Sequence, residues 1–211
     1  MMIKNLIIIG AGGMGRTMYD LARESVGYGS TYEIKGFIDD NIEALEGFEN
    51  YPPMLGTIKD YKPEENDVFV CSIGGKSRKS CIESMIAKGG EFISLIHSTA
   101  RIGTNVKLGK GTLVGTYTTI AADAVLGDFN FIQSMVIIGH DVRIGSWNRI
   151  DSQAFMVGGT SLGDNNMVHT GAMINHNVHV GNDCVIGACS FVTMDVESGS
   201  TLFTPPARRL K

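Results

Sequence analysis

Cysteine, surplus positive charge and long apolar runs are all scarce in this sequence, and each shortage closes off a class of protein. The four cysteines, Cys71, Cys81, Cys184 and Cys189, include no CxxC pair, so nothing points to the disulfide chemistry of an oxidising compartment, and buried thiols are the expectation. Eighteen Lys and Arg against 22 Asp and Glu leave a formal charge of −4. That balance supplies no basic footprint for nucleic acid. No stretch approaches the ~18 apolar residues of a membrane span, and the opening run that ends at Ile9 is too short for a signal peptide. A cytoplasmic protein without membrane insertion is therefore expected.

What the chain has in quantity is a six-residue period. Stepping by six from Ile96 to Val192, an aliphatic residue or methionine fills all 17 positions, and glycine follows in nine of them. This is the hexapeptide signature of a parallel β-helix. Fifth positions taken every 18 residues form three columns: Asn130, Asn148 and Asn166; Ala100, Thr118, Val136, Ala154, Ala172 and Ser190; Val106, Ala124, Val142, Thr160, Val178 and Val196. Such sorting predicts a triangular prism with three short strands per coil, each residue stacked ~4.8 Å over its counterpart. The asparagine column reads as an amide ladder in which side-chain amides satisfy one another away from water.

The pattern changes near residue 96, which divides the chain into an α/β domain over 1–95 and an all-β domain over 96–211. The apolar run Ile3 to Ile9 leads into Gly10-Ala11-Gly12-Gly13-Met14-Gly15 and then a helical spacing of Tyr19, Leu21 and Ala22. Gly10, Gly12 and Gly15 fit GxGxxG, in which glycines permit a tight turn and let phosphate approach a helix N-terminus. Asp39 and Asp40 follow a second strand, at the distance where such folds place an acid beside a ribose, although a solvated turn would carry the same residues. A third strand from Asp67 runs into Gly74 and Gly75 and a helix over 77–87, where a second anion contact fits. The segment 41–56, with Pro52 and Pro53, reads as loop, leaving about four strands. A domain this small holds little more than one mononucleotide half, so a group such as uridine diphosphate suits it better than NAD.

These features together resemble the NeuD/PglD-type sugar acyltransferases: a Rossmann-like domain with Gly-Ala-Gly-Gly-Met-Gly and a downstream Asp-Asp, the junction Leu95-Ile96-His97, the prism, and a closing Thr204-Pro205-Pro206-Ala207-Arg208-Arg209. The resemblance implies a left-handed helix and a homotrimer. It also implies transfer of acetyl from acetyl-coenzyme A to an amine or hydroxyl of a nucleotide-sugar acceptor, without a metal. His140, in Ile138-Gly139-His140-Asp141-Val142, matches the family's general base. Asp141 would orient it, and Gly158, one coil on, would supply an oxyanion N–H. His176 echoes the motif two coils on without an acidic follower and reads as a residue of the cofactor groove, with Gly158, Pro206, Ala207 and Arg208 completing that set. Arg149 stands where some relatives carry a second histidine, and Gln133-Ser134 replaces an asparagine, so N- and O-acetylation both stay open. A zinc hydratase on the same prism would need a third ligand where Gly181 stands. A trimeric scaffold without activity is the remaining alternative, and His140-Asp141 argues against it.

Overall fold

The computed structural model describes residues 2–75 and 77–205, which fall into two compact units, Met1–Ser98 and Thr99–Lys211. The first unit runs β1 (Lys4–Ile9), α1 (Gly13–Glu24), β2 (Tyr32–Ile38), β3 (Met54–Gly56), β4 (Asp67–Cys71), α2 (Ser77–Ala87) and β5 (Glu91–Phe92). Its strands make one parallel sheet in the order β3-β2-β1-β4-β5. β1 is central, and Leu6 to Ile9 are fully buried, which accounts for an unbroken apolar run in place of alternation. The sheet has five strands, not four. β3 lies within the segment that its prolines made look like loop; at a sheet edge a proline's missing N–H is harmless, and the Pro53 carbonyl still accepts the Phe37 N–H at 3.0 Å.

Beneath this sheet a polar cluster ties β2 to β4. The Asp67 side chain is fully buried, and burial opposes its ionisation. The Glu64 N–H (2.9 Å), the Lys35 ammonium (3.0 Å) and the Tyr61 hydroxyl (2.8 Å) nonetheless hold the carboxyl below the usual carboxylate range. Burial and the neighbouring Asp67 push the Tyr61 hydroxyl up to about 12. Because the Asp67 pKa is depressed on folding, the stability it contributes is present above the unfolded value of ~3.9 and is lost as pH falls through the folded value. Asp67→Asn should therefore lower stability at neutral pH and flatten its decline in acid, as followed by urea unfolding from pH 7 downward.

The second unit is a left-handed parallel β-helix of three flat faces. The first face stacks Arg101–Ile102, Thr119–Ile120, Ile137–Ile138, Phe155–Met156, Met173–Ile174 and Phe191–Val192; the second stacks Lys107–Leu108, Val125–Leu126, Arg143–Ile144, Ser161–Leu162 and His179–Val180. The third carries Leu113–Val114, Phe131–Ile132, Arg149–Ile150, Met167–Val168 and Val185–Ile186. Pairs throughout these stacks are offset by 18 residues, as in Ile137 with Phe155 or Arg149 with Met167. The second residue of each strand points inward, and Ile120, Ile138, Ile150, Met156, Val168 and Ile174 have no exposed surface.

Corners rather than strands set the sequence rules. A Cβ on Gly139 would sit 2.5 Å from the Gly158 nitrogen, and one on Gly115 would sit 2.7 Å from the Gln133 carbonyl carbon, so coils meet backbone to backbone there. The fourth position of every hexad from Ile102 to Ile186 adopts a left-handed conformation, and Tyr117, Phe129, Met135 and Trp147 do so with φ of 55°, 55°, 60° and 66°. Bulky residues rarely visit this region. They are held in it by bonds to the preceding coil, such as Phe129 N–H to Lys110 carbonyl at 2.8 Å and Trp147 N–H to Asp128 carbonyl at 2.9 Å.

The asparagine column works differently from a ladder of amides. Asn130 Oδ1 accepts the backbone N–H of Asn148 at 2.9 Å, Asn148 Oδ1 that of Asn166 at 2.8 Å, and Asn166 Oδ1 that of Cys184 at 2.7 Å. One amide-to-amide bond, Asn148 Nδ2 to Asn130 Oδ1 at 3.1 Å, accompanies them. Each side chain thus caps the next coil's main chain. Asn148→Ala should cost about 1–3 kcal/mol, because it strands the buried Asn166 N–H; an unchanged midpoint in chemical denaturation would contradict this role.

Candidate active site

At the corner between the first and second faces, the third positions of successive coils form the column Ala122, His140, Gly158, His176 and Met194. His140 precedes Asp141, which occupies the left-handed corner position with φ 60°. In this turn the two side chains meet: His140 Nδ1 and Asp141 Oδ2 are 2.7 Å apart, and the side chains are 64% and 63% exposed. An ionised carboxylate there requires the proton on Nδ1, leaving Nε2 as a lone pair.

One coil on, the imidazole lies against Gly158. A Cβ at that position would come within 2.6 Å of His140 Nε2 and 2.9 Å of Cδ2, so a side chain would displace the ring. Gly158 is buried, and among the described residues its N–H meets no acceptor. The neighbouring Gly159 N–H donates to the His140 carbonyl at 3.0 Å, which fixes the two coils in register. An imidazole nitrogen with a lone pair and an unengaged N–H donor are therefore brought to the same patch. His176, two coils from His140, is exposed and makes no hydrogen bond among the described residues.

The two faces flanking this column differ in chemistry. From the third coil on, the outward residues of the first face form a stripe in register, Ile137, Phe155, Met173 and Phe191, all apolar and partly exposed. Those of the second face include Arg143, Ser161 and His179, with Ser161 Oγ 2.7 Å from His179 Nδ1. At its far end the column reaches Met194, one wall of a cleft of 430 Å³ that Phe191, Val196 and Leu202 also line. Three coils, ~14 Å, separate Met194 from His140. Pro206, Ala207 and Arg208 lie outside the described residues.

In the first unit the named residues gather beyond the carboxyl ends of β2, β1 and β4, which end at Ile38, Ile9 and Cys71. The glycines there differ in purpose. Gly10 has φ +96°, and a Cβ on Gly15 would overlap the Gly10 carbonyl, so both serve close packing of loop and helix. Gly12 and Gly13 are exposed; a Cβ on Gly12 would meet open space, and one on Gly13 only the Arg16 guanidinium at 3.9 Å. Asp39 braces the loop, accepting the Ala11 N–H on Oδ2 at 2.7 Å and the Asn41 N–H on Oδ1 at 2.9 Å, while Asp40 accepts the Ile58 N–H at 3.1 Å. Gly74 and Gly75 are exposed, the latter with φ +66°. Ser72, which no motif marks, is buried and donates to the Ile9 and Gly10 carbonyls at 2.9 and 3.1 Å, tying the end of β4 to the glycine loop.

Residues 5–85 match the PglD N-terminal domain model, and 159–193 match the bacterial transferase hexapeptide model of six repeats. The chain is 32% identical over 125 residues to the uncharacterized protein L142 of Acanthamoeba polyphaga mimivirus, covering 59% of this chain and 24% of that one. It is 28% identical over 117 residues to UDP-N-acetylbacillosamine N-acetyltransferase of Bacillus subtilis (strain 168), covering 53% and 51%. The match thus spans about a quarter and about half of the length of these curated relatives. Among solved structures, the acetyltransferase domain of PglB from Neisseria gonorrhoeae FA1090 in complex with acetyl coenzyme A superposes with a TM-score of 0.84 at 28% identity, over 99% of this chain and 100% of that one. With a PglD-type domain followed by transferase hexapeptides, the chain is similar in its parts to the NeuD/PglD-type sugar acyltransferases that its motifs resemble.

Proposed function

We propose that the protein is a cytoplasmic acetyltransferase that moves acetyl from acetyl-coenzyme A to an amino group of a UDP-linked amino sugar destined for surface glycans. The observation that carries this reading is the His140–Asp141 pair at 2.7 Å, with the imidazole resting on Gly158. A sugar amine attacks the thioester carbonyl while His140 Nε2 takes its proton, a contribution of ~10²- to 10⁴-fold. Asp141 favours the imidazolium so formed. The tetrahedral oxyanion accepts the Gly158 N–H, and its collapse expels coenzyme A thiolate, which recovers the proton from His140. The likeness to an acetyltransferase domain bound to acetyl coenzyme A supports the donor, and the likeness to an N-acetyltransferase of a UDP-sugar supports the acceptor.

The first unit serves as a Rossmann-like nucleotide domain in this account. Its strand order reverses between β1 and β4, and ligands of open parallel sheets bind beyond the carboxyl ends of the strands at such a switch point. Gly10 to Gly15 and Gly74–Gly75 flank that point. A homotrimer suits the prism, because the exposed stripe Ile137, Phe155, Met173 and Phe191 calls for a partner surface and a single prism walls the column on one side only.

His140→Ala should lower kcat by about 10²-fold or more with acetyl-coenzyme A affinity retained, whereas His176→Ala should change only the KM for acetyl-coenzyme A, and modestly. Normal turnover in the first variant with an inactive second would move the base to His176. Because Gly12 sits in open space at an ordinary φ of −67°, Gly12→Trp should fold normally and raise the acceptor KM without affecting acetyl-coenzyme A; equal losses for both substrates would refute the division of labour.

A further inference from the structure

We propose that Arg149 and His169, held by the buried carboxylate of Asp151, form a phosphate-binding site on the third face of the prism. The residues just after the strands of this face form the column Gly115, Gln133, Asp151, His169 and Gly187. Glycine stands at both ends, where a Cβ would press on the next coil at 2.7 or 2.8 Å. Three middle coils carry an amide, a carboxylate and an imidazole instead.

Asp151 is 6% exposed and takes three donors. Its Oδ1 accepts Arg149 Nε at 2.6 Å and Gln133 Nε2 at 2.9 Å, and its Oδ2 faces His169 Nδ1 at 3.1 Å. Gln133 Oε1 in turn accepts the Ser152 hydroxyl at 3.1 Å. The cluster is locked, yet its outer groups are unused. Among the described residues neither the Arg149 Nη atoms nor His169 Nε2 has a hydrogen-bond partner, and the two side chains are 32% and 35% exposed.

An arginine present only to neutralise Asp151 would engage the carboxylate with two nitrogens, which is the stronger arrangement. Here Nε alone does so, and the Nη pair, the edge that matches phosphate oxygens, is left over. The strand neighbours of Arg149 are Phe131 and Met167, so no carboxylate on the adjoining strands competes for it. Asp151 has its charge offset by Arg149 and repels an incoming anion little, and a protonated His169 would add a second donor. The choice of phosphate over another oxyanion rests on the proposed function, in which coenzyme A and the nucleotide sugar both carry phosphates; the existence of the site does not.

Inorganic pyrophosphate titrated into the full-length chain tests this without any acetyl transfer, with the histidine Cε1–H resonances as readout. The His169 signal, assigned by its absence in His169→Asn, should move saturably, and Arg149→Gln should weaken the effect about tenfold or more. Should Arg149→Gln fail to fold, Arg149→Lys keeps the charge without the fork and should still weaken binding. Displacement of pyrophosphate by coenzyme A but not by dephospho-coenzyme A would assign the site to the cofactor's 3′-phosphate, and displacement by UDP would assign it to the acceptor. A His169 signal that does not move, one that moves equally in the arginine variants, or pyrophosphate that neither coenzyme A nor UDP displaces would overturn the proposal.

Discussion

The constraint on which the prism depends is the backbone bonding of each coil to the one 18 residues away. Once Ile138 must stack on Ile120 and Met156, the neighbours of a side chain are fixed by arithmetic on its number. That is why the ring of His140 finds Gly158, why Asn148 lies between Asn130 and Asn166, and why Asp151 is met by Gln133 and His169. The same constraint makes the corners tight and forces left-handed residues at regular intervals. Asp141 owes its position beside His140 to that corner, so the candidate dyad is a local product of the repeat and needs no long-range assembly.

Glycine has three separable uses in the chain. At Gly15 and Gly139 a Cβ would strike neighbouring backbone, and the residue is there so that main chains can approach, while Gly10 has φ +96° and the Ser72 hydroxyl where a Cβ would sit. Gly158 adjoins an imidazole rather than backbone, and its bareness makes room for the ring. At Gly12 nothing lies within 4 Å of the point a Cβ would occupy, which leaves packing without a claim on it; it is the N-cap of α1, a position glycine suits.

How much was legible in the sequence follows from these distinctions. The hexads, their three columns, the bounds of α2 and the adjacency of His140, Asp141 and Gly158 are all consequences of period or of neighbouring residues. Tyr117, Phe129, Met135 and Trp147 at left-handed corners were not legible, because these residue types signal the opposite preference and only bonds to the preceding coil hold them there. Met54–Gly56 escaped notice because an edge strand of three residues beside two prolines carries no alternation. That the two oxygens of Asp39 brace Ala11 and Asn41 was not legible either, because this use of a carboxylate depends on loop geometry. The Gln133, Asp151 and His169 column did carry a signal, the loss of glycine from three successive coils at one corner, but its meaning depends on which atoms of Arg149 are occupied.

A structure of the protein with acetyl-coenzyme A bound tests the central claim most directly. The account predicts that the thioester carbonyl lies at Gly158, with its oxygen within hydrogen-bond reach of the Gly158 N–H and its carbon beside His140 Nε2. An acetyl group placed instead beside His176, or away from the column of Ala122, His140, Gly158 and Met194 altogether, would contradict it.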